Sequence, residues 1–347
     1  MNGKSIIVIG GSGIIGGAAV RRFAGRKGVR VIAASRTPGE NLPSGVDPLS
    51  VDLSGQADTP FLDVGATHGL YCAFADAPGW KAQQAPNLRL FEGALSLLRK
   101  NAGLRHVTLI QGMKAYGSHL GPFRTPAREC DPRIPGGHFY DDQLDALASV
   151  AVEEGWSWTV LRPHVVIGPA LGSPQNLASV LGVYAALKAS RGERLEFPGS
   201  DAAFSAITQA TDAGLLAAAI EWAGEAETAE GEIFNITNGD FYRWRNVWPR
   251  IADLFDLEPG IAGGPVPSAQ LAGAEDEWRR LAERRGLIEP DLNRLISTTF
   301  ADYIFGVEWD VMADTQKARR AGFKEFLDSE DMLLNRLSEL RELKIIS

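Results

Sequence analysis

Cysteine is nearly absent, long apolar runs are missing and basic charge is in deficit, and each shortage removes a class of protein. Two cysteines in 347 residues, Cys72 and Cys130, are too few for a disulfide framework and suit a reducing compartment, so a cytoplasmic location is expected. No stretch of about 20 apolar residues occurs, so no membrane span is expected. With 35 Lys+Arg against 43 Asp+Glu the net charge is −8, and no basic block stands out, which argues against nucleic acid or an anionic membrane as partner. The five histidines, at 68, 106, 119, 138 and 164, include no helical pair at ligand spacing, so no metal is expected.

What is present is a 45% hydrophobic chain long enough for one large or two ordinary domains. Lys4 followed by the uncharged run Ser5 to Val20 superficially resembles a signal peptide with Ala18-Ala19 at its cleavage site, but glycines at fixed spacing argue against it. Short β-branched runs at Ser5–Ile9, Val29–Ala33, Val46–Val51, Gly69–Phe74, His106–Gln111 and Ser157–Arg162 alternate with helical patterns at Ile14–Ala24, Asn87–Lys100 and Tyr140–Glu154. That order predicts an α/β fold, a doubly wound parallel sheet of Rossmann type. Beyond Pro163, Gly-Pro breakers separate longer helices at about 176–190, 212–223, 244–256 and 268–285, and Gly231–Thr237 reads as one more strand of the same sheet. The expected division is therefore a dinucleotide-binding domain of residues 1–170 plus about 205–238. A smaller, mainly helical substrate domain would take about 171–204 plus 239–347, and Asp328–Ile345 is amphipathic enough to cap the fold.

Gly10-Gly11-Ser12-Gly13-Ile14-Ile15-Gly16 follows a strand and opens a helix. Gly10, Gly13 and Gly16 leave a tight turn, room for a pyrophosphate against backbone N–H groups, and close helix–strand packing. At the end of the second strand an acid would hold a ribose 2′-OH, whereas a base would accept a 2′-phosphate. The sequence there is Ala34-Ser35-Arg36, with no acid until Glu40, so NADP(H) is favoured, with Arg36 and Ser35 as donors. Asp52 and Leu53 are expected beside the adenine. Ala73, Phe74, Gln111, Gly112, Pro163, Val165 and Val166 stand at strand ends where they would meet the cofactor, the last three through backbone groups near the carboxamide.

The catalytic pattern is less ordinary. A Tyr-x-x-x-Lys pair belongs on the helix before the Ser157–Arg162 strand, yet that spacing occurs only at Tyr184 and Lys188, in the second domain. Tyr184 reads as a helix-face aromatic and Lys188 as solvated. The tyrosine in the right place is Tyr140, and four residues on stands Leu144. Lys114, in Gln111-Gly112-Met113-Lys114-Ala115-Tyr116, could reach the same pocket from the opposite side. Trp244 and Trp248, four apart on one helix, read as core.

These stretches resemble the progesterone 5β-reductase and iridoid synthase group of extended short-chain dehydrogenases. Its members carry threonine-glycine-x-lysine-histidine-tyrosine where this chain has Gln111 to Tyr116. They carry asparagine-phenylalanine-tyrosine-tyrosine, two residues, then glutamate-aspartate where it has His138 to Asp145. The Asn235–Asp240 segment with Trp244, the Val183–Ala186 helix and Ala321-Gly322-Phe323 are also similar to the family pattern. The chain departs from it at Ala115, His138 and Asp141. The resemblance implies catalytic roles for Lys114 and Tyr140, substrate-entry positions at Phe123 and Phe300, and NADPH-dependent 1,4-reduction of an enone, with hydride to the β-carbon and the enolate held by Tyr140 and Lys114. Two other readings stay open: an extended short-chain carbonyl reductase or sugar-nucleotide epimerase, and a non-catalytic NADP(H)-sensing regulator. The expected partner is a small-molecule enone, with room left for a homodimer.

Overall fold

A computed structural model describes residues 3–37, 42–54, 63–77 and 79–347 of the chain. Seven strands form one wholly parallel sheet: β1 (Lys4–Ile9), β2 (Val29–Ser35), β3 (Val46–Ser50), β4 (His68–Tyr71), β5 (His106–Ile110), β6 (Ser157–Pro163) and β7 (Glu232–Ile236). Their spatial order is β3-β2-β1-β4-β5-β6-β7. The runs at Ile6–Ile9 and Val107–Ile110 are buried without alternation, as strands covered on both faces require. Strand order reverses between β1 and β4, which opens a crevice at the carboxyl ends of those two strands, where this class of sheet binds ligands.

Helices α1 (Ile14–Ala24), α2 (Trp80–Leu98) and α3 (Phe139–Glu154) lie where the periodicity puts them, with one difference. α2 begins at Trp80 rather than Asn87 and runs through Pro86, because Gln83, Asn87, Phe91, Ala94, Leu95 and Leu98 form one continuous buried stripe. Tertiary burial there outweighs the local penalty of proline. β4 stops at Tyr71, short of Phe74, because the chain is taken out of the sheet by Asn87: its Oδ1 accepts from the Ala75 N–H at 2.9 Å and its Nδ2 donates to the Ala75 carbonyl at 2.7 Å.

The chain divides into two compact units, each discontinuous. The first runs up to His164 and adds Ala213–Thr237 and Ala313–Glu325. The divisions fall at 164 and 212, where 170 and 205 were anticipated. The return of 313–325 was not anticipated at all. Its attachment is physical: Ala127 and Ala313 form a β-bridge, Lys317 pairs with Glu232 at 2.6 Å, and the Phe323 ring lies 5.6 Å from that of Trp222. The second unit comprises Val165–Asp212, Asn238–Met312 and Phe326–Ser347.

That second unit is built round α4 (Leu177–Arg191), enclosed over most of its length among Phe197, Trp244, Trp248, Trp278 and Phe305. The helix expected over 268–285 is broken into Pro267–Gln270 and Glu275–Arg285, with Gly273 between them at φ +72°, a conformation that ends helices. Tyr184 is 2% exposed, and its hydroxyl donates to the Glu196 carbonyl and lies 3.1 Å from Gln270 Oε1. Lys188 is not solvated: it is 6% exposed and paired with Glu193 at 2.7 Å, its Nζ 5.6 Å from the Tyr184 ring centroid. The Tyr-x-x-x-Lys spacing there is a structural pair in a hydrophobic core. Among the described residues no helix is long and apolar enough to cross a membrane.

Candidate active site

The glycine loop divides its labour by position. At Gly10, φ is +96° and an added Cβ would lie 2.8 Å from the Ala73 backbone nitrogen, so the end of β1 is held against the chain leaving β4. At Gly16 an added Cβ would lie 2.1 Å from the Gly10 carbonyl oxygen, so only glycine lets α1 start so close to the strand. Gly13 is different: an added Cβ would meet only that same oxygen, at 3.5 Å, and would otherwise face open space. Gly13 is also the N-cap of α1, with no side chain capping the helix and no acid in its first turn. The uncapped N–H groups and the positive end of the helix are left for an anion, which fits a pyrophosphate. Ser12 is exposed beside them, and Ile14 and Ile15 are half-buried in the first turn.

At the end of β2, Ser35 is half-buried and Arg36 exposed. Asp52, on the neighbouring loop, is exposed and accepts from the Ser54 N–H at 2.9 Å. That bond, with the charge of Arg36 nearby, holds its carboxyl below the usual carboxylate range. The Leu53 side chain, by contrast, is buried in the core of the first unit. Phe74 is exposed, its ring 6.4 Å from that of Phe139.

Both catalytic candidates stand near the end of β5. Gly112 follows that strand with an extended backbone, and an added Cβ on it would lie 3.5 Å from both the Tyr140 hydroxyl and the Pro163 carbonyl oxygen. The Tyr140 phenol therefore projects over the junction of β5 and β6. Lys114 lies in the short turn Met113–Tyr116 that follows, with Nζ 3.5 Å from Gln83 Oε1. Burial pushes the Lys114 ammonium below its ordinary pKa, and the charge of Asp76 opposes that shift.

His138 links the two candidates. Its ring is 4.5 Å from the Tyr140 ring, and the Lys114 charge helps to depress its pKa. It is also the N-cap of α3: Nδ1 accepts from the Tyr140 N–H at 3.3 Å, while Asp141 Oδ2 accepts from the His138 N–H at 3.2 Å. Burial, with the neighbouring His119 and Lys114, pushes His138 down to about 3 and keeps it neutral. The Phe139 N–H is held by Gln84 Oε1 at 2.6 Å, and the Tyr140 carbonyl by Gln111 Nε2 at 2.6 Å.

Pro163 belongs to this unit, whereas Val165 and Val166 open the second, where Val166–Ile167 pairs with Thr211–Asp212. Phe123 is a half-buried residue of the first unit; Phe300 packs on the core of the second. Among the described residues no group of three or more His, Cys, Asp or Glu could hold a metal ion. Sequence reasoning missed His138 as a cap, because imidazole is outside the usual set of Ser, Thr, Asp and Asn. The spacing of His138 to Asp141, which matches a capping box, was the available signal. It also missed Asp76 and Gln83, which come from distant segments.

Comparison with known proteins agrees with this architecture. A family model described as a PRISE-like Rossmann-fold domain matches residues 42–346. An (S)-8-oxocitronellyl enol synthase of Camptotheca acuminata is 28% identical, over 98% of this chain and 92% of its own. A 3-oxo-Delta(4,5)-steroid 5-beta-reductase of Arabidopsis thaliana is 29% identical over the same shares. The structure of UDP-glucuronic acid 4-epimerase from Bacillus cereus in complex with NAD is similar in fold, with a TM-score of 0.67 at 14% identity, covering 98% of this chain and 99% of that one. On sequence and fold together, the chain belongs to the family of PRISE-like Rossmann-fold domains.

Proposed function

We propose that the protein is an NADPH-dependent oxidoreductase that reduces activated C=C bonds by 1,4-addition. The observation that carries this reading is the Tyr140 hydroxyl above Gly112 at the end of β5, with Lys114 on the turn that leaves the same strand. Gly10, Gly13 and Gly16, the N-terminus of α1, and Arg36 with Ser35 would hold the cofactor. When bound, the cofactor supplies the hydride for the β-carbon of the alkene. The names of the two plant relatives, an enol synthase and a steroid 5-beta-reductase, support chemistry on an enone or enal.

Hydride arrival at the β-carbon pushes electrons onto the carbonyl oxygen, and the chain's task is to stabilise that oxyanion. Tyr140 offers a neutral O–H donor and Lys114 a charged N–H donor. A preorganised donor of this kind is worth roughly 3 kcal/mol in a site that excludes water. Tyr140 need not give up its proton for this; it has only to point at the oxygen, and the enolate then takes the proton for its α-carbon from water. Lys114 contributes only while protonated, and Asp76 counters the burial that would neutralise it.

Carbonyl reduction or epimerisation in extended short-chain enzymes calls for a lysine four residues after the tyrosine, and the residue here is Leu144, packed against the core of the first unit. A regulator that only senses NADP(H) would have no use for the paired donors. One assay separates the three readings: NADPH oxidation with a small cyclic enone, a saturated ketone and a nucleotide sugar. Turnover of the enone alone supports reduction of the double bond. Turnover of the ketone or sugar in preference to the enone, or tight NADPH binding with no turnover, overturns it.

A further inference from the structure

We infer that Gln111 is a positioning residue for Tyr140, its side-chain amide fixing the main chain that carries the phenol. The inference rests on the reading of Tyr140 as catalytic. Gln111 is the residue after β5 and is only 4% exposed. Its own N–H donates to the Leu161 carbonyl at 2.9 Å, so its backbone is anchored to the neighbouring strand. Its side chain crosses to α3, where Nε2 donates to the Tyr140 carbonyl at 2.6 Å. The amide therefore ties the end of the sheet to the first turn of the helix.

The amide is oriented by a second group. Arg162, 6% exposed near the end of β6, donates from Nε to Gln111 Oε1 at 3.0 Å. The reverse orientation would set the amide NH2 against the guanidinium and the amide oxygen against the Tyr140 carbonyl, two repulsive contacts in place of two hydrogen bonds. Arg162 is itself fixed, its guanidinium 5.0 Å from the Tyr116 ring centroid. The Tyr116 hydroxyl donates to Asn235 Oδ1 at 2.6 Å, and Asn235 Nδ2 donates to the carbonyls of Ala127 and Asp314. A line of buried polar side chains thus runs from β7 to the residue that bears the phenol. All its members lie in one compact unit.

With its oxygen on Arg162 and its NH2 on Tyr140, the side chain serves as an internal strut rather than as a donor to ligand. The phenol inherits its placement from the helix turn, which is held at the Tyr140 carbonyl by Gln111 and at the Tyr140 N–H by His138. A shift of about 1 Å in such a group can cost about 100-fold in rate.

The test uses the full chain labelled with 13C at tyrosine Cζ, whose six tyrosines give six resonances, with Tyr140 assigned by Tyr140→Phe. In Gln111→Glu the Arg162 partner is kept and the donor to Tyr140 is lost. The Tyr140 resonance should move or broaden while those of Tyr184 and Tyr242, buried in the other unit, stay in place. With NADPH and a cyclic enone, kcat should fall about tenfold while the KM for NADPH stays within about twofold. Should Gln111→Glu not fold, the double variant Gln111→Met, Arg162→Met removes the donor without leaving an unpaired buried cation, and should give the same displacement. A Tyr140 resonance unchanged in the folded variant overturns the inference, whatever the enzyme turns over. Absence of enone turnover in the unsubstituted protein overturns the proposed reaction instead, and leaves the resonance to decide the positioning claim.

Discussion

At the scale of single residues, the proposed reaction depends on two donors whose roles differ by charge. Removing the phenolic O–H in Tyr140→Phe should lower kcat about 100-fold, equivalent to roughly 3 kcal/mol of transition-state stabilisation, with the NADPH Kd unchanged. Lys114→Ala should do the same, and unchanged turnover in both would remove the assignment. In the proposed role Lys114 acts as an ammonium, and since burial lowers its pKa, activity should fall as pH rises through that depressed value. Asp76 raises the Lys114 pKa, so Asp76→Asn should move the alkaline limb of the kcat profile to lower pH; a limb that stays put would disconnect the two. Tyr140 and Lys114 were both legible in the sequence as candidates, since each sits at a definable offset from a strand or helix end. The surroundings of Lys188 were not visible. Its charge is met by Glu193, five residues on and beyond the end of α4, a contact that helical periodicity does not encode.

At the scale of elements, the first turn of α3 is the part most worth perturbing. His138 caps it, and His138→Ala should cost about 1 kcal/mol of stability, the usual value of an N-cap. His138→Asn should retain that stability, since asparagine is among the best capping residues. Chemical denaturation of the two variants checks this, and equal losses in both would mean that ring packing, not the cap, is what His138 contributes. Six of the seven strands and the start of α1 were legible because hydrophobic runs and a glycine loop are local signals. β4 was also located, but its end was not, since Asn87 closes it from another element. The same holds for the start of α2, where a buried stripe carried the helix through Pro86, and for the break at Gly273, where a charged helix pattern concealed a left-handed residue.

At the scale of the whole molecule, acid should weaken the fold by a route its histidines define. His106 and His138, 4% and 1% exposed, are each pushed down to about 3, mainly by burial, against 6.5 in an unfolded chain. A base with a depressed folded pKa gives stability that is complete above 6.5 and lost as pH falls below it, because the unfolded chain then binds the extra protons. Between pH 6.5 and 5 each should cost roughly 2 kcal/mol, at about 1.4 kcal/mol per pH unit. His68, His119 and His164, each pushed down to about 4 mainly by burial, add to that loss, so unfolding free energies from urea titrations should be clearly lower at pH 5 than at 6.5, and His138→Asn should reduce the difference by roughly 2 kcal/mol. A flat profile would mean that these rings are solvated or charged in the folded protein. The doubly wound sheet was legible from the alternation of strands and helices. The return of 313–325 to the first unit was not, because it depends on Lys317, Ala313 and Phe323 meeting partners 85 to 186 residues away.

In the proposed reaction hydride goes to carbon conjugated with a carbonyl while Tyr140 and Lys114 hold the oxygen. Its most direct test is the fate of deuterium from NADPH doubly labelled at nicotinamide C4, incubated with the protein and a small cyclic enone. The expected product is a saturated ketone bearing the label at the β-carbon, formed far more slowly by Tyr140→Phe. An allylic alcohol with deuterium on the former carbonyl carbon, or no labelled product at all, would contradict it.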